Sequence, residues 1–282
     1  MRFKKIAKWT GLVLLIIAIT GGILYRIYLY PFVSKMKQTQ VIEVDKNLIL
    51  ITGGGGNSGI LTSDSLVMVI DTKMDDAAEM LHRKVEEVAG NKPVLVINTH
   101  WHPDHVGGNK LYKNASILAG AGYTPELWKK ESEAEAMPTR WLKDTLVIPM
   151  GTDTAVVFNL AGSVHTPSDM MVYLTQRKML FAGDVILNHQ APILMGTADG
   201  DAYIRVMQNL MQKGGIEVVV PGHGAVGGPE VIASFLTFFT DMKEAAADVS
   251  KEGELLAKYK DWNQIPFVMS PGATEGHFKK KR

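Results

Sequence analysis

The stretch that decides the fold is NTHWHPDHVGGN, residues 98–109, which places three of the chain's eight histidines and one aspartate within six consecutive positions. It follows a hydrophobic run, VLVIN, that predicts a buried strand. His100 and His102 are two residues apart, so in extended backbone they point to the same side. A proline then ends the strand, and Asp104 and His105 are aimed at a neighbouring point. The stretch therefore predicts two adjacent metal sites rather than a histidine-rich surface loop.

Composition narrows the classes of protein. The 282 residues, 46% of them hydrophobic, are enough for one large domain or two small ones. The absence of cysteine excludes disulfides, thiolate metal sites and cysteine nucleophiles. Eleven of the 30 basic residues lie in 1–37 and 279–282, whereas all 29 acidic residues lie between them, so the body has a net charge of −10. Such a body excludes a nucleic-acid partner and predicts neutral or modestly charged substrates.

An uncharged hydrophobic run near the N-terminus predicts a membrane helix. It covers residues 9–25, and its continuation to residue 30 brings it to the ~30 Å of a bilayer core. Basic residues precede the run and aromatic residues lie at its ends, which favours a single-pass anchor in the cytoplasmic membrane, over 9–30, with the body on the extracytoplasmic side. A cleaved signal peptide ending before Gly21 is the alternative.

The rest of the sequence predicts one α/β domain. Short hydrophobic strands come in two groups, each followed by amphipathic helices, of which 75–90 and 200–215 have the clearest helical spacing. This order predicts two similar halves, each a sheet with helices on its outer face. The predicted organisation is a membrane anchor over residues 1–30, a stalk over 31–40, a catalytic domain over 41–260 and a C-terminal tail over 261–282.

Three more polar residues follow hydrophobic segments further along the chain. They are His165 in GSVHTPSD, Asp184 in LFAGDVI and His223 in VVVPGHG. Together with H-x-H-x-D-H and with Asp71 after an early strand (VMVIDT), this order resembles the metallo-β-lactamase superfamily over residues 41–235. The resemblance implies an αββα sandwich with the site along one edge of the paired sheets.

The resemblance also implies a set of metal ligands. They form two groups joined by a carboxylate: His100, His102 and His165 in the first, Asp104, His105 and His223 in the second, and Asp184 as the bridge. Imidazole and carboxylate ligands suit two divalent ions, with zinc expected and iron or manganese as alternatives. A hydroxide held between two ions would attack a carbonyl carbon, and Asp104 would be the catalytic residue that orients it and moves a proton. The expected activity is hydrolysis of a small ester, thioester, lactone or amide.

Other functions remain open at this point. The pattern has Asp184 where one lactamase subclass has a metal-binding cysteine, and His102 where the flavin-partnered di-iron branch has glutamate. It is similar to the thioesterase, lactonase and general hydrolase branches. A mononuclear iron persulfide dioxygenase shares the motif and is one alternative. A non-catalytic metal-binding accessory protein is the other, and it would bind metal without hydrolysing any acyl compound.

Three further features are secondary candidates. His189, five residues after Asp184, is a candidate for substrate contact, with a plain loop histidine as the alternative. The glycine-rich stretch 53–59 lacks the Gly-Lys-Ser/Thr ending of a phosphate loop and predicts a flexible hairpin flap near the site. Asp169 is either a partner of a ligand histidine or a capping carboxylate in a turn.

Overall fold

The structure is a computed structural model that describes residues 2–30, 38–132, 137–160, 162–194, 196–265 and 267–280. Within these ranges the strands are β1 (Thr39–Asp45), β2 (Leu48–Gly53), β3 (Ser58–Thr62), β4 (Val67–Ile70), β5 (Val94–Ile97), β6 (Ser116–Gly120), β7 (Arg140–Leu142), β8 (Thr145–Met150), β9 (Asp153–Asn159), β10 (Met170–Leu174), β11 (Met179–Phe181) and β12 (Val218–Val220). The α-helices are α1 (Arg2–Leu24), α2 (Asp75–Ala89), α3 (Pro103–Val106), α4 (Pro125–Glu131), α5 (Gly200–Lys213), α6 (Glu230–Ala247), α7 (Val249–Ala257) and α8 (Pro271–Lys280). Most of the predicted stalk lies outside the described residues.

The strands form two sheets, which agrees with the two predicted groups. The first sheet has seven strands in the order β1 to β7, antiparallel from β1 to β4 and parallel from β4 to β7. The second has the order β12-β11-β10-β9-β8, with only β11 and β12 parallel. Each sheet therefore combines a hairpin meander with parallel strands whose carboxyl ends meet at one edge.

Alternate side chains along the strands of the first sheet belong to different layers of the core. On β4, Met68 and Ile70 face the second sheet, whereas Val67 and Val69 belong to a separate apolar cluster with α2. The same alternation on β5 assigns Val96 to the α2 side. Successive side chains of a strand point to opposite faces of the sheet. These buried strands therefore have apolar side chains on both faces, one packed against the second sheet and the other against α2.

The outer face of the second sheet carries the largest apolar cluster. Side chains of β10 and β11 pack there against α5, α6 and α8. The order helix, sheet, sheet, helix is the predicted αββα arrangement, and the mixed α/β fold is confirmed. The proposed division of the chain at residues 30, 40 and 260 stays a prediction.

The predicted N-terminal membrane anchor is wrong, and so is the single-pass localisation derived from it. No helix among the described residues is long and apolar enough to cross a membrane. The α-helix ends at Leu24, and the next five residues form a π-helical turn that contains Arg26. The uncharged α-helical part, residues 9–24, therefore covers only about 24 Å, less than the ~30 Å of a bilayer core.

The aromatic part of the outer cluster gives a test of the fold. Phe238 of α6 is fully buried, and its ring lies 4.8 Å from that of Trp262 and 4.9 Å from that of Tyr259. We expect Phe238→Ala to lower the free energy of unfolding by about 3–5 kcal/mol, because the lost ring leaves a cavity. The measurement is urea denaturation. The control is Val249→Ala at a side chain that is 73% exposed, for which a change above about 0.5 kcal/mol would contradict this account of the core.

Candidate metal centre

The centre lies at the edge where the parallel strands of both sheets end. Ile70 of β4 pairs with Ile97 of β5, and Phe181 of β11 pairs with Val220 of β12. Each of these four strands is followed within three residues by a polar residue of the centre or its support, namely Asp71, His100, Asp184 and His223. The register of the two sheets therefore brings residues distant in sequence to one place.

The H-x-H-x-D-H stretch folds as its spacing predicts. His100 is buried just after β5, and His102 has extended backbone at the N-terminus of α3. Pro103 occupies the first position of that short helix, where its missing N–H costs nothing. Asp104 and His105 follow on the helix and so project from a different part of the turn than the first pair.

Three ring nitrogens converge in what we call the three-histidine group (His100, His102 and His165). Nδ1 of His102 lies 3.0 Å from Nε2 of His100 and 3.0 Å from Nε2 of His165. Burial lowers the pKa of all three rings, that of His165 to about 3, so the rings are neutral. The convergence of neutral ring nitrogens is the donor arrangement that a divalent cation prefers.

The second set, which we call the mixed group, contains Asp104, His105 and His223. Nε2 of His223 lies 3.1 Å from Oδ2 of Asp104 and 3.4 Å from Nε2 of His105. Burial alone would lower the pKa of both histidines, but Asp184 and Asp104 outweigh it and raise both, that of His223 to about 9. The negative potential of the carboxylates therefore favours positive charge at this point.

Asp184 stands between the two groups. Its Oδ2 lies 3.5 Å from Nε2 of His165 and 3.8 Å from Nε2 of His100, whereas its Oδ1 lies 3.2 Å from Nε2 of His105 and 3.4 Å from Nε2 of His223. Oδ1 is buried and has no hydrogen-bond partner among the described residues. An unsatisfied buried carboxylate oxygen is costly, and a cation in contact with it would remove that cost. The donor set therefore fits one or two metal ions.

Asp71 fixes the protonation of one ring. This buried carboxylate accepts hydrogen bonds from the backbone N–H and the hydroxyl of Thr99 and from Nδ1 of His105, each at 2.7 Å. Because Nδ1 of His105 donates to Asp71, Nε2 is the ring nitrogen that faces the mixed group and that would bind a metal ion.

Tyr203 orients one ring of the three-histidine group, and this role was not predicted from the sequence. Its hydroxyl lies 2.7 Å from Nδ1 of His165 and donates to the backbone oxygen of Asp184 at 3.2 Å. Nδ1 of His165 therefore donates to Tyr203, and Nε2 faces the group. The sequence predicted only an amphipathic helix over 200–215, and nothing local indicated that Tyr203 contacts a histidine 38 residues away.

Asp169 is a capping carboxylate. Its side chain accepts from the backbone N–H groups of Val164, His165 and Thr166 and from the hydroxyl of Thr166. It thus holds the turn that carries His165 but does not contact the imidazole ring. Of the two interpretations left open by the sequence, the structure supports the turn.

The glycine-rich stretch lies near the site as predicted, but it is held firmly. Gly56 packs against the ring of His105 so closely that a Cβ would lie 2.2 Å from Cε1 of that ring. Asn57 donates to the carbonyl oxygens of Pro221 and Gly224, both at 2.9 Å. The stretch therefore connects the first sheet to the loop that carries His223, which a flexible flap would not do.

Lys73 also binds the glycine-rich stretch through hydrogen bonds. Its side chain is fully buried and donates to the carbonyl oxygens of Gly53 at 2.7 Å and Gly56 at 2.5 Å. Burial lowers its pKa to about 7, against the opposing effect of Asp71. A buried lysine that satisfies two carbonyl groups in this way was not predicted from the sequence.

His189 lies outside the three-histidine group and the mixed group. It is exposed, with its ring 5.8 Å from that of Trp262, and its Nδ1 lies 2.8 Å from Oδ1 of Asn188. Its neighbours Asn188 and Gln190, which the sequence reasoning did not select, line cavities beside the centre.

Comparison with known proteins identifies the family. The model of the metallo-beta-lactamase superfamily matches residues 51–223, more than half of the chain. The chain therefore belongs to the metallo-β-lactamase superfamily and is a hydrolase.

Individual relatives have different named activities. The chain is 32% identical to a metallo-beta-lactamase type 2 of Bacillus cereus over 202 residues, 66% of this chain and 77% of that protein. It is 26% identical to the acyl-coenzyme A thioesterase MBLAC2 of Gallus gallus over 169 residues, 50% of this chain and 60% of that protein. A solved metallo-beta-lactamase from Pontibacter korlensis has a TM-score of 0.62 at 24% identity, covering 72% of this chain and 99% of that one. The last likeness concerns the fold alone.

The contact of Gly56 with His105 gives a second test. We expect Gly56→Ala to lower the free energy of unfolding by about 1–3 kcal/mol through overpacking, and to weaken divalent-metal binding because the ring of His105 must move. The measurements are urea denaturation and metal titration. Gly253→Ala is the matched control, since a Cβ there meets nothing within 4 Å and a helical alanine should stabilise by up to about 1 kcal/mol. Unchanged stability and metal binding in Gly56→Ala would contradict the packing described.

The hydrogen bond of Tyr203 gives a third test. We expect Tyr203→Phe to weaken metal binding by roughly 10–100-fold, because Nδ1 of His165 loses the partner that fixes its tautomer. Tyr173→Phe removes a hydroxyl that donates to Gly215 and is remote from the centre, so it should leave metal affinity unchanged. Equal metal affinity in the two variants, measured by competition with a chelator, would show that Tyr203 does not position His165.

Proposed function

We propose that the chain is a dinuclear metal-dependent hydrolase that acts on a small ester, thioester, lactone or amide. The observation that carries this proposal is the position of Asp184, whose two oxygens face different donor groups at 3.2–3.8 Å. A carboxylate in that position is suited to bridging two cations. The proposed ligands are the three-histidine group, the mixed group and Asp184 between them.

The donors also bear on the identity of the ions. The centre offers imidazole nitrogens and carboxylate oxygens, and the chain has no cysteine that could add a thiolate. This set suits zinc and also accepts iron or manganese. We propose two zinc ions, with the other two metals as alternatives. When bound, two such ions would polarise a substrate carbonyl and lower the pKa of a water molecule.

Asp104 is the proposed catalytic residue. Its carboxylate is in the mixed group and also lines the cavity in front of the centre. Burial alone would raise its pKa, but His105 and His223 outweigh that effect and lower it, so the group is ionised at neutral pH. An ionised carboxylate at the cavity wall can orient a water molecule and accept its proton.

The proposed reaction is a balanced hydrolysis. The oxygen of water forms a bond to the acyl carbon while the bond from that carbon to the leaving oxygen, sulfur or nitrogen breaks. One proton of the water moves through the carboxylate of Asp104 to the leaving atom. The products are a carboxylic acid and an alcohol, thiol or amine. The names of the relatives, lactamases and a thioesterase, support an acyl substrate.

The function is tested by metal content and turnover together. We expect elemental analysis to give two metal ions per chain, and a panel of chromogenic esters, thioesters, lactones and amides to include at least one substrate. Removal of metal by a chelator should abolish turnover, and zinc should restore it. Oxygen consumption with a persulfide and one iron per chain would support the dioxygenase instead. Bound metal without turnover on any member of the panel would support an accessory protein.

The bridge is tested by substitution. We expect Asp184→Asn to reduce metal content below two ions per chain and turnover by roughly 100-fold or more, because loss of a ligand exceeds the 10–100-fold effect of outer partners. His105→Ala should empty the mixed group while the other ion stays bound. His82→Ala, on α2 with its ring against Tyr112, is the control and should change neither quantity. Two ions and near-native turnover in Asp184→Asn would show that the bridge is assigned wrongly.

A further inference from the structure

Two cavities open onto the metal centre and meet at the side chains of Gln190 and His223, which line both. From their walls we infer the class of substrate: an uncharged molecule with an apolar acyl group on one side of the scissile bond and a neutral, hydrogen-bonding leaving group on the other. This inference rests on the proposed function, since it assigns the two sides of an acyl substrate to the two cavities. It goes further in excluding anionic substrates.

The first cavity, which we call the apolar cavity, has a volume of about 310 Å³. Its floor is formed by the centre itself, including His102, Asp104 and Asp184. Its walls are apolar side chains, namely Met74, Leu187, Ile193, Ile265 and Met269. An acyl chain in this cavity would have its carbonyl next to the donor groups while its hydrocarbon part displaced water from apolar walls.

The C-terminal segment builds one of these walls. Asn263 donates its backbone N–H to the oxygen of His189 at 2.8 Å and accepts from the N–H of Ala191 at 3.1 Å. Further on, Ile265 and Met269 exchange two backbone hydrogen bonds of 2.7 and 2.9 Å. The wall is therefore held by main-chain bonds and exists before a substrate binds.

The second cavity, which we call the amide cavity, has a volume of about 440 Å³. Six of its lining residues carry side-chain amides, namely Gln38, Gln40, Asn57, Asn188, Gln190 and Asn263. An amide carries donor hydrogens and an acceptor oxygen but no charge. Asn57, Asn188 and Asn263 use donor hydrogens within the protein, on carbonyl oxygens of the loop that carries His223 and on the side chain of Gln190, and so fix the neutral wall in place. Such a lining recognises an uncharged polar group such as an amide, a hydroxyl or an ether.

Apart from the histidines of the centre, which are neutral when they bind a metal ion, neither wall has a basic side chain among the described residues. No lysine or arginine lines either cavity in the part of the chain that the structure describes. The buried ammonium of Lys73 donates to Gly53 and Gly56 and is not presented to either cavity. A third cavity, which shares Met74 and Gly55 with the first two, is bordered by Asp75, Asp76 and Glu79 beside a single lysine.

Away from the donor groups that would hold the ions, a carboxylate or phosphate on either cavity wall would give up its water without a lysine or arginine to supply a counter-charge. That exchange is unfavourable, because a desolvated anion needs a paired cation. Penicillin-type β-lactams carry a carboxylate and acyl-coenzyme A carries phosphates. We therefore exclude both classes as good substrates, although relatives of this chain are named for them.

The test uses a matched pair of esters. For each acyl chain from two to eight carbons, the leaving group is either 4-hydroxybenzamide, which is neutral, or 4-hydroxybenzoate, which is anionic and nearly isosteric. With rates divided by those of alkaline hydrolysis, we expect kcat/KM to be at least roughly tenfold higher for the neutral ester. It should rise by roughly fourfold per added methylene until the cavity is filled.

The outcomes separate the two proposals. Hydrolysis of both esters at equal corrected rates, or preference for the anion, overturns the inference and leaves the hydrolase proposal standing. A rate independent of chain length overturns the role of the apolar cavity. No hydrolysis of any ester, thioester, lactone or amide by the metal-loaded chain overturns the proposed function and this inference with it.

Substitutions locate the selectivity. Gln40→Lys puts a cation into the amide cavity and should raise kcat/KM for the anionic ester relative to the neutral one by roughly tenfold, an effect that high salt weakens. Val44→Lys adds the same charge at an exposed position about 13 Å further along β1 and should leave the ratio unchanged. Met269→Ala should reduce the gain per methylene, whereas Met211→Ala, at an exposed methionine, should not. Equal ratios in both lysine variants would overturn the assignment of the leaving group to the amide cavity.

Discussion

The structure depends on the convergence of seven donor side chains that have little reason to approach one another. The three neutral rings of the three-histidine group present nitrogens only 3.0 Å apart, and two carboxylates stand beside them. Repulsion between lone pairs and between like charges opposes this arrangement unless a cation occupies it or the surroundings hold it. Here each donor follows a buried strand or sits in a turn closed by hydrogen bonds. Asp71 and Tyr203 orient individual rings, so the geometry is largely set before any ion binds.

Neither sheet could form the centre alone. Asp104 and His105 come from the first sheet, whereas Asp184 and His223 come from the second. Main-chain hydrogen bonds join the two sheets at this edge: Met170 donates to Thr99 at 2.7 Å and Asn57 donates to Gly222 at 2.7 Å. The donors therefore come together only when the two sheets pack against each other. A bound metal would add its binding free energy to the stability of the whole sandwich.

The features that could be predicted from the sequence were local or belonged to the family pattern. Strand periodicity placed β5 before His100, and helical spacing placed α2 and α5 within a few residues of their observed ends. The supports were not predictable, because Tyr203 contacts His165 across 38 residues and Lys73 is buried beneath a loop that only the folded chain forms. The membrane anchor failed because hydropathy counted residues beyond the end of the α-helix at Leu24. The C-terminal segment, expected to be a tail, contributes Ile265 and Met269 to a cavity wall.

The metal donors and the cavity walls come largely from different kinds of segment. This separation explains how one site can combine a charged metal centre with selectivity for neutral substrates. The donor side chains follow the ends of strands, where both sheets oppose their displacement. The positive charge of bound ions would therefore be confined to the place where the substrate carbonyl reacts. Much of the apolar cavity wall comes instead from residues 187–193, 265 and 269, and main-chain hydrogen bonds hold these segments together. The amide cavity adds Gln40 and Thr52 from the first sheet. Side chains can vary on such walls without moving a donor, so the walls can become neutral and apolar while the centre keeps its charge. The proposed rejection of anions would then follow from the residues that surround the ions, since the ions themselves would attract any anion that could reach them.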